Sequence, residues 1–473
     1  MRKFLLLVLV SFILSLPVLW GLLDKDFYSY MYVGRGVAIG KDMYVDFADN
    51  KGPILYLAYS AIYTLFKNSL EHGLVFALGL IDALALFFWT EAIFSQIKIS
   101  KKKDVVLSVL ILFIYKTFNI GMLISAVYAE TLGIMFVGLA IYSWLKKRSL
   151  LSGFAFSLAV FSRQSLVVWI LFWILDIYKS KKLTAKHVMF GVGASMPMVV
   201  FLVYYFSTGG LEYVFNNTVL YNLNYASGFG IFGDQSSWII NAIILLSKET
   251  RILILLATIV LVTAFTTKNK SIDKKVKRDY YVLLFISFLS LSGGTLYFHH
   301  FSQTLPVIVF VGLFAAVSSK KHVYGPFILV LFLFTLVNYF SYIYVGKAYK
   351  ERDTAFKNTI TENTKHKDNL LLIFYYPKLY FEMNKYSPDR NYHTFLISRS
   401  YNPKNDFHRD LHREALDSDD LSKTAFVVYK DRSESSVLAD DYLSEFGEDF
   451  HLKLQNTVSI GPNTLEFYES VFD

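Results

Sequence analysis

Long apolar segments separated by short clusters of lysine and arginine constrain this chain of 473 residues more than any other feature. A stretch of about 20 apolar residues can cross a bilayer as a helix. The pattern therefore predicts about eleven membrane spans. They lie at residues 1–23, 72–96, 104–120, 129–145, 149–163, 165–178, 188–206, 251–267, 280–296, 302–318 and 324–345.

The basic clusters indicate the orientation of these spans. Cytoplasmic loops of membrane proteins are enriched in Lys and Arg. When the predicted spans alternate across the bilayer, every cluster falls on the same side as the N-terminus. We therefore expect a multi-pass protein of the plasma membrane with a cytoplasmic N-terminus. The clusters are Lys101–Lys103, Lys146–Arg148, Lys181–Lys182, Lys274–Arg278 and Lys320–Lys321.

Composition excludes several other classes of protein. Charged residues make up 18% of the chain and hydrophobic residues 54%, whereas a soluble domain carries roughly a quarter charged residues. A soluble enzyme, a disordered protein and a collagen-like fibre are therefore excluded. The absence of cysteine excludes disulfide scaffolds, thiolate metal sites and a cysteine nucleophile. Because the net charge of +9 lies in the loop clusters, it indicates membrane topology and not nucleic-acid binding.

Three long segments are expected on the extracytoplasmic side, at residues 24–71, 207–250 and 347–473. The last is more charged than the rest and contains β-like runs at Leu370–Tyr375 and Ala425–Tyr429. We predict an α-helical polytopic membrane domain over residues 1–346 and a small extracytoplasmic α/β domain over 347–473. The second segment and the C-terminal domain are candidates for contact with an acceptor substrate.

The first outer segment, residues 24–71, carries the densest group of candidate functional residues. A carboxylate at a membrane boundary is partly desolvated, which raises its proton affinity and suits it to general-base catalysis. By charge alone, the same residues also fit a solvated loop without a function. The group includes Asp24, Asp26, Arg35, Asp46, Asp49 and Lys51.

The spacing of residues in this segment resembles that of a known family. It contains Asp-x-x-x-Tyr at residues 24–28, glycines about a dozen residues later, and Tyr-x-Asp-x-x-Asp-x-Lys-x-Pro at residues 44–53. This arrangement is similar to the first outer loop of the GT-C membrane glycosyltransferases. It most resembles the glycosyltransferase family 39 type, which includes protein O-mannosyltransferases and the aminoarabinose transferases of lipid A. The resemblance covers residues 1–345.

Three later features are also similar to this family. Glu130 lies at the outer start of the fourth span, where the family has its second acidic residue, and Arg163 ends the fifth span on the outer side. Residues 297–306, with His299 and His300, resemble the family's His-Tyr-Phe … Leu-Pro segment.

The chain departs from the family at three points. It has Asp24-Lys25-Asp26 where the family has Asp-Glu, which leaves both Asp24 and Asp26 as candidates for the base, and the spacing to Tyr28 favours Asp24. It has Lys51-Gly52-Pro53 where the family has Lys-Pro-Pro, and His300 where the family has Tyr.

The resemblance implies an enzyme that transfers a sugar from a polyprenyl-phosphate donor to a hydroxyl of a glycan, lipid or protein acceptor. The base removes the acceptor proton and the anomeric centre is inverted, without a required cofactor, although the acidic residues could hold a divalent metal. The implied catalytic residues are Asp24, Asp26 and Glu130. The implied donor-phosphate ligands are Lys51, Arg163, His299 and His300. The implied positioning residues are Tyr44, Asp46, Asp49 and Arg35.

Two alternatives fit the same topology. A transporter or flippase for lipid-linked glycans should carry ionisable residues near the middle of the membrane, and the predicted spans are nearly free of charge at their centres. A polysaccharide polymerase or ligase would use a lipid-linked oligosaccharide, and the sequence does not separate it from the transferase.

Overall fold

A computed structural model describes most of the N-terminal half of the chain and parts of the C-terminal half. The described residues are 2–20, 25–47, 49–95, 100–121, 126–220, 222, 274–290, 302–309, 354–365, 367, 369–373, 424–430, 452–460 and 463–470. Most of them are helical. The candidate site residues Asp24, His299 and His300 and the predicted spans at 251–267 and 324–345 lie outside this part of the chain.

Helices α1 to α9 form the N-terminal part of the molecule. Helices α4 to α7 and α9 lie within a few residues of five of the predicted spans. The nine helices are α1 Arg2–Ser15, α2 Lys25–Ala38, α3 Pro53–Phe66, α4 Leu70–Phe94, α5 Lys101–Gly121, α6 Ala129–Leu145, α7 Ser149–Ser162, α8 Leu171–Ser180 and α9 Ala185–Ser207. The shorter or later helical segments are Leu16–Leu19, Gln164–Ile170, Leu211–Val214, Phe215–Leu220 and Lys274–Ser290.

Three helices within the described residues are long and apolar enough to cross a membrane. They are Arg2–Leu19, Leu70–Phe94 and Ala185–Ser207. Helices α3, α6 and α7 are also apolar but shorter. Length and composition are therefore those of a membrane protein, and the larger number of spans stays a prediction.

The first outer segment is largely helical, which the sequence pattern did not predict. Helices α2 and α3 pack closely against each other at Gly34. A Cβ atom at this position would lie only 2.6 Å from the Cβ atom of Tyr59. Pro53 starts α3, where its fixed φ angle favours the first helical turn. Both helices have 14 residues, fewer than a membrane span requires, so their presence is compatible with an extramembrane segment.

Side-chain contacts place several helix ends on one side of the bundle. The Lys3 ammonium lies 3.0 Å from Glu91 and 2.7 Å from Asp104, which joins the start of α1 to the end of α4 and the start of α5. The rings of Phe88 and Tyr142, near the ends of α4 and α6, are 6.0 Å apart. These are the helix ends that the alternating threading assigns to the side of the basic clusters.

The start of α9 lies on the same side. The Lys186 ammonium lies 3.4 Å from the ring centre of Trp144, near the end of α6. The clusters Lys146–Arg148 and Lys181–Lys182 therefore flank neighbouring helix ends. Glu130, at the start of α6, consequently lies at the opposite end of that helix from Lys146–Arg148.

A buried ion pair corrects the expectation of charge-free span centres. Asp82 in the middle of α4 and Lys116 on α5 form an ion pair, with relative exposures of 2% and 3%. Lys116 also donates a hydrogen bond of 2.7 Å to the Ser15 hydroxyl of α1. The sequence pattern does not reveal the pair because Asp82 and Lys116 lie on different apolar segments, and only tertiary packing brings the two charges together.

The described strands near the C-terminus form one mixed four-stranded sheet. Its order is β1-β2-β4-β3, with β1 and β2 parallel and the other neighbours antiparallel. The strands are β1 Asn369–Ile373, β2 Thr424–Lys430, β3 Leu452–Ile460 and β4 Asn463–Ser470. Strands β1 and β2 lie at the predicted β-like runs.

Residues 354–364 are helical and contact this sheet. Asn456 of β3 donates a hydrogen bond of 2.9 Å to Asn363, and the ammonium of Lys367 lies 3.6 Å from Glu469 of β4. The described residues of this region thus include a helix and a four-stranded sheet. A separate domain over residues 347–473 stays a prediction.

Candidate functional site

An ion pair links α6 and α7 at the end away from the basic clusters. Glu130, in the first turn of α6, accepts a hydrogen bond from the guanidinium of Arg163, which directly follows α7. The Arg163 Nε also donates to the hydroxyl of Ser165 at 3.0 Å. Glu130 is only 1% exposed, and a buried charge requires compensation. Arg163 and the partial positive charge of the helix N-terminus provide it.

A tight turn at Asp49–Lys51 lies close to this ion pair. The Asp49 carboxylate accepts hydrogen bonds from the backbone N–H groups of Asn50 at 2.7 Å and Lys51 at 3.3 Å. The hydroxyl of Tyr44 donates to the carbonyl oxygen of Lys51 at 2.7 Å. Asp49 and Tyr44 thus fix the backbone of the turn that carries Lys51.

Gly52 explains why the turn can approach α7. A Cβ atom at this position would overlap the carbonyl oxygen of Phe161 and would lie 2.6 Å from the Phe161 carbonyl carbon. It would also lie 3.0 Å from the carbonyl oxygen of Ser162. A glycine at residue 52 therefore lets the turn pack directly on the last residues of α7, next to Arg163.

Tyr30 of α2 lies among the carboxylates of the site. Burial raises its pKa well above the usual range, and the nearby charges of Asp26, Glu130 and Asp49 raise the pKa further. The hydroxyl is therefore protonated at neutral pH and can donate a hydrogen bond. The carboxylates of Asp26, Glu130 and Asp49 thus lie close enough to Tyr30 to raise its pKa.

A group of carboxamide side chains is hydrogen-bonded to residues 50 and 51. The Lys51 ammonium donates to Asn50 Oδ1 at 2.8 Å, and Asn50 Nδ2 donates to Asn222 Oδ1 at 3.1 Å. Asn222 Nδ2 and Gln164 Nε2 both donate to the carbonyl oxygen of Asn50, at 3.1 and 3.4 Å. Polar groups from three segments therefore converge on residues 50 and 51.

The remaining candidate residues have mixed surroundings. Asp46 is exposed, and its carboxylate accepts a hydrogen bond of 2.6 Å from the backbone of Asp42, so it closes a turn. Arg35 is buried near the end of α2, with its guanidinium carbon 5.8 Å from the ring centre of Tyr32. Tyr44 packs between Tyr56 and Tyr205, with ring centres 6.4 and 5.7 Å away.

Three residues of this region, Tyr30, Asn50 and Gln164, are absent from the sequence-based candidates, and Asn222 was expected only as part of the segment that contacts an acceptor. Tyr30 follows Asp26 by four residues and so lies on the same face of α2, a signal available in the sequence. The three amides carry no charge, and nothing in their local sequence indicates that they meet. Their convergence depends on the packing of the segments before α3, after α7 and after α9.

The arrangement combines acidic groups, two cations and neutral hydrogen-bond donors at one end of the helices. Such a site can bind an anion through Lys51 and Arg163 and can remove a proton through a carboxylate. Within the described part of the chain, no three His, Asp or Glu side chains come together as ligands for a metal ion.

No protein-family model matches the chain, and no curated protein matches it. The resemblance to GT-C glycosyltransferases therefore depends on the motif residues of the chain itself.

Proposed function

We propose that the protein is a membrane glycosyltransferase that moves a sugar from a polyprenyl-phosphate donor to an acceptor hydroxyl. One observation carries this proposal. Glu130 and Arg163 lie at the same end of the helices as Lys51, Asp26 and Asp49 of the first outer segment, although about 80 residues or more separate the two groups in the chain. Sugar transfer of this kind requires a cationic site for the phosphate next to a base for the acceptor.

The proposed site lies on the extracytoplasmic side of the plasma membrane. In the described helices, Glu130 and the basic cluster Lys146–Arg148 lie at opposite ends of α6. If the basic clusters face the cytoplasm, the carboxylates and Arg163 face outward. The proposal includes about eleven spans, a GT-C fold and an extracytoplasmic α/β domain at the C-terminus.

Each group of side chains has a distinct role in the proposal. Asp24 or Asp26 accepts the proton of the acceptor hydroxyl as its oxygen attacks the anomeric carbon. Lys51 and Arg163 stabilise the negative charge that develops on the departing phosphate. Glu130 holds the guanidinium of Arg163 in place, because the two groups are already paired. Tyr30, which stays protonated, supplies a neutral donor among the carboxylates.

One of the two variants Asp24→Asn and Asp26→Asn removes the base. We expect that variant to lower sugar transfer about 100-fold or more. The substitution preserves the size of the side chain and removes its basicity. The measurement is transfer of label from polyprenyl-phosphate monosaccharides in purified membranes. Lys51→Ala is expected to weaken donor binding in the same assay.

Asp176→Asn is the matched control for the carboxylate variants. The Asp176 side chain is 41% exposed and lies 3.7 Å from Lys186, at the end of the helices that carries the basic clusters, so this variant should transfer sugar at the wild-type rate. Wild-type transfer by both Asp24→Asn and Asp26→Asn would contradict the assignment of the base to this pair. Unchanged donor affinity in Lys51→Ala would contradict its role as a phosphate ligand.

The buried pair Asp82–Lys116 favours a second candidate function, transport of lipid-linked glycans. Ionisable residues within a membrane span commonly mark transport pathways, and Asp82 lies in the middle of a candidate span. Reconstituted vesicles separate the two functions. Labelled lipid that crosses the bilayer, with no transfer from any donor, would favour the transporter.

A further inference from the structure

We propose that Asn50 positions the Lys51 ammonium and that Asn222, from the segment after α9, holds Asn50 in place. The two residues form what we call the amide clamp. Its role rests on the proposed function, in which Lys51 binds the donor phosphate. The inference assigns a positioning role to two uncharged residues that the motif does not include.

The contact between Asn50 and Lys51 is the first step. Lys51 is half-buried, and its ammonium lies 2.8 Å from Asn50 Oδ1. Lysine has a flexible side chain and loses rotamer entropy when it is held in one place. A neutral acceptor can orient the ammonium without cancelling its charge, whereas a carboxylate would pair with it. An amide at residue 50 therefore leaves Lys51 able to attract an anion.

The contact between Asn50 and Asn222 is the second step. Asn50 Nδ2 donates to Asn222 Oδ1, and Asn222 Nδ2 donates to the Asn50 carbonyl oxygen, both at 3.1 Å. These two bonds fix both the side chain and the backbone of Asn50, which is only 9% exposed. Asn50 Nδ2 donates to Asn222 and Asn50 Oδ1 accepts from Lys51, so the two contacts together select one of the two orientations of the Asn50 amide.

The segment after α9 is itself fastened to the first outer segment. Asn222 Nδ2 also donates to the carbonyl oxygen of Thr218 at 2.8 Å. Asn217 Nδ2 donates to the carbonyl oxygen of Tyr44 at 3.3 Å, and Asn217 is buried. The position of Lys51 thus depends on residues about 170 positions later in the sequence. Any displacement of this segment would be transmitted to the cation.

Steady-state kinetics of sugar transfer test the amide clamp. Asn50→Ala and Asn222→Ala are each expected to raise KM for the polyprenyl-phosphate donor about tenfold. Turnover at saturating donor should fall as well, because Lys51 also stabilises the charge that develops on the departing phosphate. Asn50→Ala should have little further effect in a Lys51→Ala background, since both act through one ammonium.

Lysine acetylation followed by mass spectrometry tests the same inference without sugar transfer. Asn222→Ala should raise the rate of Lys51 acetylation relative to Lys182, which is exposed and serves as the internal reference. Asn68→Ala is the matched control, because Asn68 is an exposed asparagine in the first outer segment. It should change neither the donor KM nor the acetylation of Lys51.

The outcomes separate the inference from the proposed function. If the wild type transfers sugar but both clamp variants match Asn68→Ala in donor KM and in Lys51 acetylation, the inference is wrong and the proposed function stands. If no donor is used but Asn222→Ala still exposes Lys51 to acetylation, the proposed function fails while the clamp on Lys51 stands. A loss of turnover in Asn222→Ala with an unchanged rate of Lys51 acetylation would also overturn the positioning role.

Discussion

Replacement of Lys116 by methionine is expected to lower the free energy of unfolding by about 3–5 kcal/mol. The substitution leaves the carboxylate of Asp82 buried in the middle of α4 without its counter-ion. It also removes the hydrogen bond from Lys116 to Ser15, which connects α5 to α1. Unfolding in detergent micelles, followed by heat or by denaturant, measures the effect.

The double variant Asp82→Leu/Lys116→Met is the control for this prediction. Replacement of a complete buried ion pair by apolar side chains of similar size is often neutral or stabilising. We therefore expect the double variant to be markedly more stable than Lys116→Met alone. If the single and double variants lose the same stability, the two charges do not compensate each other and the prediction is wrong.

The same variants bear on transport. Loss of lipid movement across vesicles in the stable double variant, with transfer unaffected, would assign Asp82 and Lys116 to a transport pathway. Unchanged behaviour in both assays would assign the pair to the packing of α1, α4 and α5.

Gly52→Pro is expected to reduce sugar transfer about 100-fold, although it restores the Lys-Pro-Pro sequence of the family that the chain resembles. The backbone angles of Gly52, φ −70° and ψ 152°, are accessible to proline. The obstacle is the Cβ atom, which would overlap the carbonyl oxygen of Phe161. The turn must then move away from α7, and a shift of about 1 Å at a catalytic group can cost this factor.

Gly191→Ala controls for the general effect of adding a side chain to a glycine. A Cβ atom at Gly191 on α9 would have no atom within 4 Å, so this variant should keep wild-type transfer and stability. The thermal midpoint in detergent provides a second measurement, and Gly52→Pro should lower it. Wild-type transfer and an unchanged midpoint in Gly52→Pro would show that the turn does not need its close approach to α7.

The helical parts of the fold follow from local sequence. Helix α6 occupies the same residues as the predicted span at 129–145, because its apolar run begins after Tyr128 and ends at the basic cluster Lys146–Arg148. Helices α2 and α3 are too short for a membrane-span criterion to detect. Strands β1 and β2 were predictable from their β-like runs, whereas the β1-β2-β4-β3 order depends on long-range pairing.

The charged residues of the candidate site could be selected from the sequence. Glu130, Arg163, Lys51, Asp26 and Asp49 stand out in an apolar chain because a charge near a membrane is costly without a partner or a function. Their pairing was not predictable. Glu130 and Arg163 are 33 residues apart, and they meet only because α6 and α7 pack side by side.

By itself, the sequence determined that the chain forms apolar helices separated by basic turns, since the bilayer permits few other ways to satisfy the backbone. Tertiary structure alone decided that Asp82 and Lys116 neutralise each other, that Gly52 must lack a side chain, and that Asn222 reaches Asn50. These three facts depend on contacts between segments far apart in the chain. The secondary-structure propensity of a short segment does not predict such contacts. The close packing of side chains in the folded chain determines them to within a few tenths of an ångström.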